Sequence, residues 1–177
     1  DYIMRWESFA NVAYHAMRGA SPLWEYSDSD TKISMTRLFY DQIFSSGNPY
    51  KTGYISSSAL NAKRERKKTC NEHCLSPQFV ARMIYDNPDV WLSDFEKFKD
   101  LFFKCCQTIV VTSKENTELS NLTSNKNGKL EIKVATHLKY EHCNIILFHP
   151  KKGVVKNPFS EIVPEELIEY EKQYLVN

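Results

Sequence analysis

"KRERKKTCNEHCLSPQ", residues 63–78, is the stretch on which the reading of this chain turns. Five Lys and Arg side chains, one Glu-His pair and two cysteines fall within sixteen residues. Three chemistries compete for such a composition: a solvated charged loop, a zinc knuckle, and the front edge of a nuclease active site. The rest of the chain has to choose among them.

A length of 177 residues suits one domain, with room for an appended helical unit. Hydrophobic residues at 42% and aromatics at 13% supply a packed core and exclude a globally disordered chain. The chain opens on Asp1 rather than Met, which leaves room for further domains beyond its ends. Lys and Arg number 23 against 22 Asp and Glu, a net charge of +1, so bulk charge makes no case for a polyanion partner. The distribution does. Basic residues crowd 63–68, while 161–171, "EIVPEELIEYE", is acidic, which fits a protein that offers one face to phosphates. Five cysteines at 70, 74, 105, 106 and 143 form no regular disulfide framework. With neither a signal peptide nor a long apolar run, the expectation is reduced thiols in a cytoplasm and no membrane partner.

Working along the chain, Ile3, Trp6, Phe9, Ala10, Ala13, Ala16 and Met17 recur at helical spacing, predicting a helix over 3–18 that ends near Gly19 and Pro22. A second helix is expected over about 32–44, with Ile33, Leu38, Phe39, Ile43 and Phe44 inward, stopped by "SSGNP". Residues 48–62 read as a loop, and 67–73 as a short strand. Pro77 opens a helix. "NP" at 87–88 breaks it, and Ser93 with Glu96 forms a capping-box pattern for the next. "QTIVVT", 107–112, is a buried strand. A helix then starts at Ser113 and is expected to run to "NKNG". "KLEIKVATH" and "NIILFH" read as two further strands and "PEELIEYEKQYLV" as a last helix. The fold class is therefore α+β.

Metal-assisted phosphodiester cleavage needs a base to deprotonate water, usually His. It needs a hard divalent cation on one or two oxygen side chains. It also needs basic side chains that position the backbone. "TCNEH", 69–73, and "VVTSKENTEL", 110–119, offer these residue types. Glu72 and His73 are neighbours at a strand end and point to opposite faces. Asn116 sits one turn into a helix that directly follows a strand, with Glu115 as its competitor for the same role.

At these residues the chain resembles the HNH family of nucleases, the ββα-metal fold, including members from bacteriophages. There an Asp-His or Glu-His ends the first strand, and the second strand leads into a helix carrying the other ligand. The resemblance covers about 63–127. It implies a core of that kind over 51–130 with a helical insertion. It does not reach the flanks, where the local patterns alone give an N-terminal helical region over 1–50 and a C-terminal β-hairpin plus helix over 131–177. It implies Glu72 and Asn116 as ligands of one Mg²⁺, replaceable by Mn²⁺, and His73 as general base. Arg64, Arg66, Lys67 and Lys68 would bind DNA. The implied activity is that of a DNA endonuclease, nicking one strand per site, with a homodimer as one route to a double-strand break. A mobile element in a bacterial cytoplasm is the implied setting, with homing, restriction and interference all open.

Three other readings compete. Cys70 and Cys74, with Cys105-Cys106 or His142-Cys143, could complete a zinc site. "KYEHC", 139–143, repeats the Glu-His pair and makes His142 an alternative base. A non-enzymatic DNA- or protein-binding module with a nuclease-like fold is the alternative from another class.

Overall fold

A computed structural model describes residues 2–46, 50–126, 128–155 and 162–176. Two compact units arise, and each contains segments distant in sequence: 1–50 with 75–107, and 51–74 with 108–177.

The first unit is helical. It holds α1 (Tyr2–Ala20), a 3₁₀ turn (Ser21–Tyr26) and α2 (Ser29–Ser45). From Lys51 the chain enters the second unit, with β1 (Tyr50–Ser56), α3 (Ser57–Arg64) and β2 (Cys70–His73). The helical unit then resumes with α4 (Pro77–Asp86), α5 (Pro88–Trp91) and α6 (Phe95–Cys106). Its core follows from helical periodicity. Trp6, Ala10, Ala13, Tyr14 and Met17 are buried along one stripe of α1. The side chain of Ile3, also expected inward, lies outside the described residues. Phe39 meets Phe98 and Phe102 edge to face, with centroids 5.8 and 5.7 Å apart. On α2 the buried stripe is Met35, Thr36, Phe39 and Ile43, while Ile33 and Phe44 are exposed, against expectation. The cause is geometric: Met35, Phe39 and Ile43 are spaced by four, and neither Ile33 nor Phe44 lies on that line. The cap of α6 is Asp94, which accepts from the Glu96 and Lys97 amides, rather than Ser93, whose hydroxyl donates to Asp89 O at 2.5 Å.

The second unit carries the sheet. After β2 come β3 (Gln107–Val111), α7 (Ser113–Ser120), β4 (Thr123–Lys126) and β5 (Lys129–Ile132). A 3₁₀ turn at Thr136–Leu138 and the short α8 (Lys139–His142) lead to β6 (Leu147–His149), β7 (Gly153–Val155) and α9 (Glu165–Glu171). Five strands order as β2-β3-β1-β6-β7, and β4-β5 form a separate two-stranded ribbon. The class is α+β, as expected.

Several local expectations need correction. The stretch expected as a loop, 48–62, contains β1 and α3. Lys51 and Gly53 interrupt any apolar alternation over β1, and Ser56, its last residue, also caps α3. The helix expected to continue to "NKNG" stops at Ser120, and its last residues form β4. Gly128, between β4 and β5, has φ +73°, a left-handed backbone that glycine adopts without strain. "KLEIKVATH" and "NIILFH" do not pair with each other: β5 pairs with β4, and β6 pairs with β1 and β7.

One buried contact joins three of these elements. Ser56 Oγ accepts from the Ala59 amide at 3.0 Å, capping α3, and donates to Glu115 Oε1 of α7 at 2.5 Å. Glu115 Oε1 also accepts from Thr112 N at 2.9 Å, while Thr112 Oγ1 accepts from Glu115 N, a complete capping box. Ser56→Ala should remove about 1 kcal/mol of capping. It should remove a further ~1–3 kcal/mol because a buried carboxylate loses a donor. Urea denaturation measures the sum, and a variant as stable as wild type would contradict this account of the corner.

Candidate functional site

β2 lies at one edge of the sheet and pairs antiparallel with β3 in the register Cys70↔Val111, Asn71↔Val110, Glu72↔Ile109, His73↔Thr108. Thr112 caps α7 immediately after β3. Cys70 Sγ lies 3.4 Å from Ser113 Oγ, so the start of β2 touches the first residue of α7. The two-residue period of a strand puts Glu72 on the same face as Cys70 and His73 on the other. The expected strand-end pair and the helix bearing Asn116 are thus parts of one β2-β3-α7 assembly, with α4, α5 and α6 inserted between its strands.

Glu72 is the most heavily engaged of the expected residues. Lys139 Nζ lies 2.8 Å from its Oε1, and the Tyr140 hydroxyl donates to its Oε2. The Glu72 and Lys139 side chains are only 11% and 13% exposed, so this ion pair is shielded from water. Lys139 Nζ also donates to His73 O at 3.2 Å, tying the ammonium to both residues of the pair. Burial drives the Tyr140 hydroxyl well above its ordinary pKa, and the Glu72 charge adds to the effect, so Tyr140 stays a donor. Burial likewise pushes the Cys74 thiol up to about 12, leaving it neutral.

Neither Lys139 nor Tyr140 was picked out from sequence. Their segment, "KYEHC", drew notice for Glu141 and His142, both of which are exposed on α8. What the segment brings to Glu72 is the two residues just before that pair. His149 is fixed by its surroundings. Nδ1 accepts from Lys151 N at 3.1 Å, so Nε2 carries the proton and donates to Thr52 O at 3.1 Å. Its ring packs so close to Gly53 that a Cβ there would meet Nε2 at 2.9 Å.

The basic strip ends α3. Arg66 has φ +58°, a left-handed residue just past the helix end. The Arg66 amide donates to Lys63 O at 3.1 Å and the Lys67 amide to Ala62 O at 2.8 Å, the paired bonds of a Schellman cap. Arg64, Arg66, Lys67 and Lys68 are all exposed, and Lys67 pairs with Glu65 at 2.5 Å. Glycine is the ordinary occupant of such a left-handed position, so an arginine there is held against its backbone preference.

Among the described residues, no three His, Cys, Asp or Glu side chains gather into a metal-binding group. The cysteine-rich zinc alternative therefore has no ligand cluster there. A Glu carboxylate with an Asn amide and waters is a smaller, all-oxygen donor set of the kind a hard cation takes. Each Glu72 oxygen keeps a lone-pair site after accepting from Lys139 or Tyr140. No described helix is long and apolar enough to cross a membrane. In the helical unit, a cleft of about 540 Å³ is lined by Arg18, Trp24, Tyr26 and Asp86 among others; it contains none of the expected site residues.

The Glu72–Lys139 pair makes a quantitative prediction. Losing one partner from a shielded pair leaves a stranded charge, so Glu72→Gln and Lys139→Met should each cost about 3–5 kcal/mol. The double variant should lose less than the sum, by roughly 1–3 kcal/mol. Additive losses in a chemical-denaturation cycle would show that the pair does not couple.

No protein-family model, no curated protein and no solved structure matches this chain.

Proposed function

We propose that this protein is a metal-dependent DNA endonuclease of the HNH type, hydrolysing phosphodiester bonds at the β2-β3-α7 assembly. The observation that carries the reading is the pairing of β2 with β3 directly ahead of α7. The strand with Glu72 and His73 thus pairs with the strand that leads into the helix of Asn116, which supports the reading. An exposed basic loop leads straight into β2.

In this reading His73 takes a proton from the attacking water, on the face of β2 opposite Glu72. Glu72 and Asn116 would hold Mg²⁺, or Mn²⁺ in its place. When bound, the cation supplies charge neutralisation at the scissile phosphate and the departing 3′ oxygen. Glu115 is committed to Ser56 and Thr112, which favours Asn116 as the donor from α7. Lys139 and Tyr140 hold the Glu72 carboxylate in one orientation. Arg64, Arg66, Lys67 and Lys68 grip the phosphate backbone electrostatically. One such site cuts one strand, so a monomer nicks and a double break needs a dimer or two visits.

Supercoiled plasmid with Mg²⁺, Mn²⁺ or EDTA tests the activity. Nicking is expected with either metal and not with EDTA. His73→Ala should lower the rate by on the order of 10²–10⁴ while sparing melting temperature and DNA binding. His142→Ala should be much milder. Wild-type nicking by the His73 variant, with a dead but folded His142 variant, would transfer the role to the other Glu-His pair. DNA binding without nicking under any metal would leave only a binding module.

Arg66 gives a second test. Arg66→Gly removes the left-handed strain and should raise stability by up to about 1 kcal/mol. It should at the same time weaken DNA binding and lower the logarithmic salt slope by about 0.9. A stabler variant that binds DNA unchanged would mean that the arginine is incidental.

A further inference from the structure

The ribbon β4-β5 follows α7 by two residues and belongs to neither the sheet nor the expected site. Its register is Thr123↔Ile132, Ser124↔Glu131, Asn125↔Leu130 and Lys126↔Lys129. The base is anchored. Ile132 is buried and bridges to Leu175, Val176 N donates to Ile132 O at 3.0 Å, and Lys133 N donates to Leu122 O at 2.8 Å. The outer half is not covered: Asn125, Lys126, Gly128 and Lys129 are all exposed.

The tip has a charge pattern that stability does not explain. Lys126 and Lys129 stand directly opposite each other, on the same face of the ribbon. Like charges directly across a strand pair destabilise it. Glu131 meets Lys129 at 2.9 Å and offsets part of this, yet the outer end of the face remains net positive. A rigid base with a cationic tip is suited to an anionic partner. The partner's shape is constrained too. Two strands lie about 4.8 Å apart and four residues extend about 13 Å. A ribbon of that width enters the major groove of B-DNA, about 12 Å wide and 8.5 Å deep. The deep, narrow major groove of duplex RNA does not admit side chains in this way.

We infer that the β4-β5 ribbon is a duplex-DNA-binding element that enters the major groove, with Lys126 and Lys129 contacting phosphates or base edges on its walls. The inference rests on the nuclease reading for its choice of partner. It assigns the ribbon a task separate from the chemistry: holding the duplex while the β2-β3-α7 assembly cuts.

The test is fluorescence-anisotropy titration of a 25-base-pair duplex in EDTA, where no cleavage interferes, over a series of salt concentrations. The Lys126→Ala/Lys129→Ala variant should bind about tenfold more weakly, with a logarithmic salt slope lowered by about 1.8 for two lost phosphate contacts. Its melting temperature should be equal to or above wild type, because a like-charge pair has gone. Lys126→Arg/Lys129→Arg should restore binding. Bulky groups on cytosine C5, which project into the major groove, should weaken wild type but have little effect on the alanine variant. Unchanged affinity and slope in the alanine variant overturn the ribbon's role, as does equal sensitivity of both proteins to the C5 groups. A wild-type protein that binds duplex RNA as well as DNA, or binds no duplex, also overturns it. Plasmid nicking with Mg²⁺ separates the two readings. Ribbon-dependent binding without nicking defeats the nuclease reading alone, and nicking with ribbon-independent binding defeats the ribbon alone.

Discussion

Glu115 is the constraint on which the arrangement of the second unit depends. Its carboxylate is almost fully buried, and such a group is tolerated only when donors meet it. It has two on one oxygen: the Thr112 amide, which makes it part of the α7 cap, and the Ser56 hydroxyl, which reaches it from the corner between β1 and α3. The same hydroxyl caps α3 through Ala59 N. One small polar cluster therefore fixes where both α3 and α7 begin. The basic loop emerges from the far end of α3, and Asn116 follows Glu115 on α7.

A second buried polar cluster performs the equivalent task for β2. An edge strand of four residues has little of its own to hold it in place. Lys139 and Tyr140 grip both oxygens of Glu72, and Lys139 also takes the His73 carbonyl. A shielded ion pair of this sort adds little net stability compared with an apolar packing of the same volume. Its value lies in orientation, because an acceptor bonded at both oxygens cannot rotate freely. The carboxylate proposed to hold a cation is thereby presented in one orientation before any cation arrives.

Stability and the proposed activity pull against each other at two points of the chain. Arg66 occupies a left-handed helix cap that glycine would fill without strain. Lys126 and Lys129 repel each other across a ribbon. Both positions are exposed and basic, and both are parts of the surface to which the proposed reading assigns phosphates. Local costs of this kind at charged surface positions are consistent with the proposed phosphate contacts.

Local signals were what the sequence determined. Pro77 and Ser76 start α4, the aromatic stripe of α1 faces inward, and the strand before Thr112 runs straight into a helix, because caps and periodicity act over three or four residues. The same locality misled where one signal has two meanings. The glycine of "NKNG" could end a helix or follow a strand, and only the pairing of β4 with β5 chose the second. Over 50–56, Lys51 and Gly53 interrupt any apolar alternation, so β1 has no strand pattern in the sequence. What only the tertiary structure decided are the partnerships across long sequence separations: Glu72 with Lys139 and Tyr140, 67 and 68 residues away, and Ser56 with Glu115, 59 residues away. The physical reason is that a buried charge must find a donor somewhere, but its own neighbourhood in sequence does not say where. "KYEHC" displayed a second Glu-His pair, yet folding delivered its Lys and Tyr to the first.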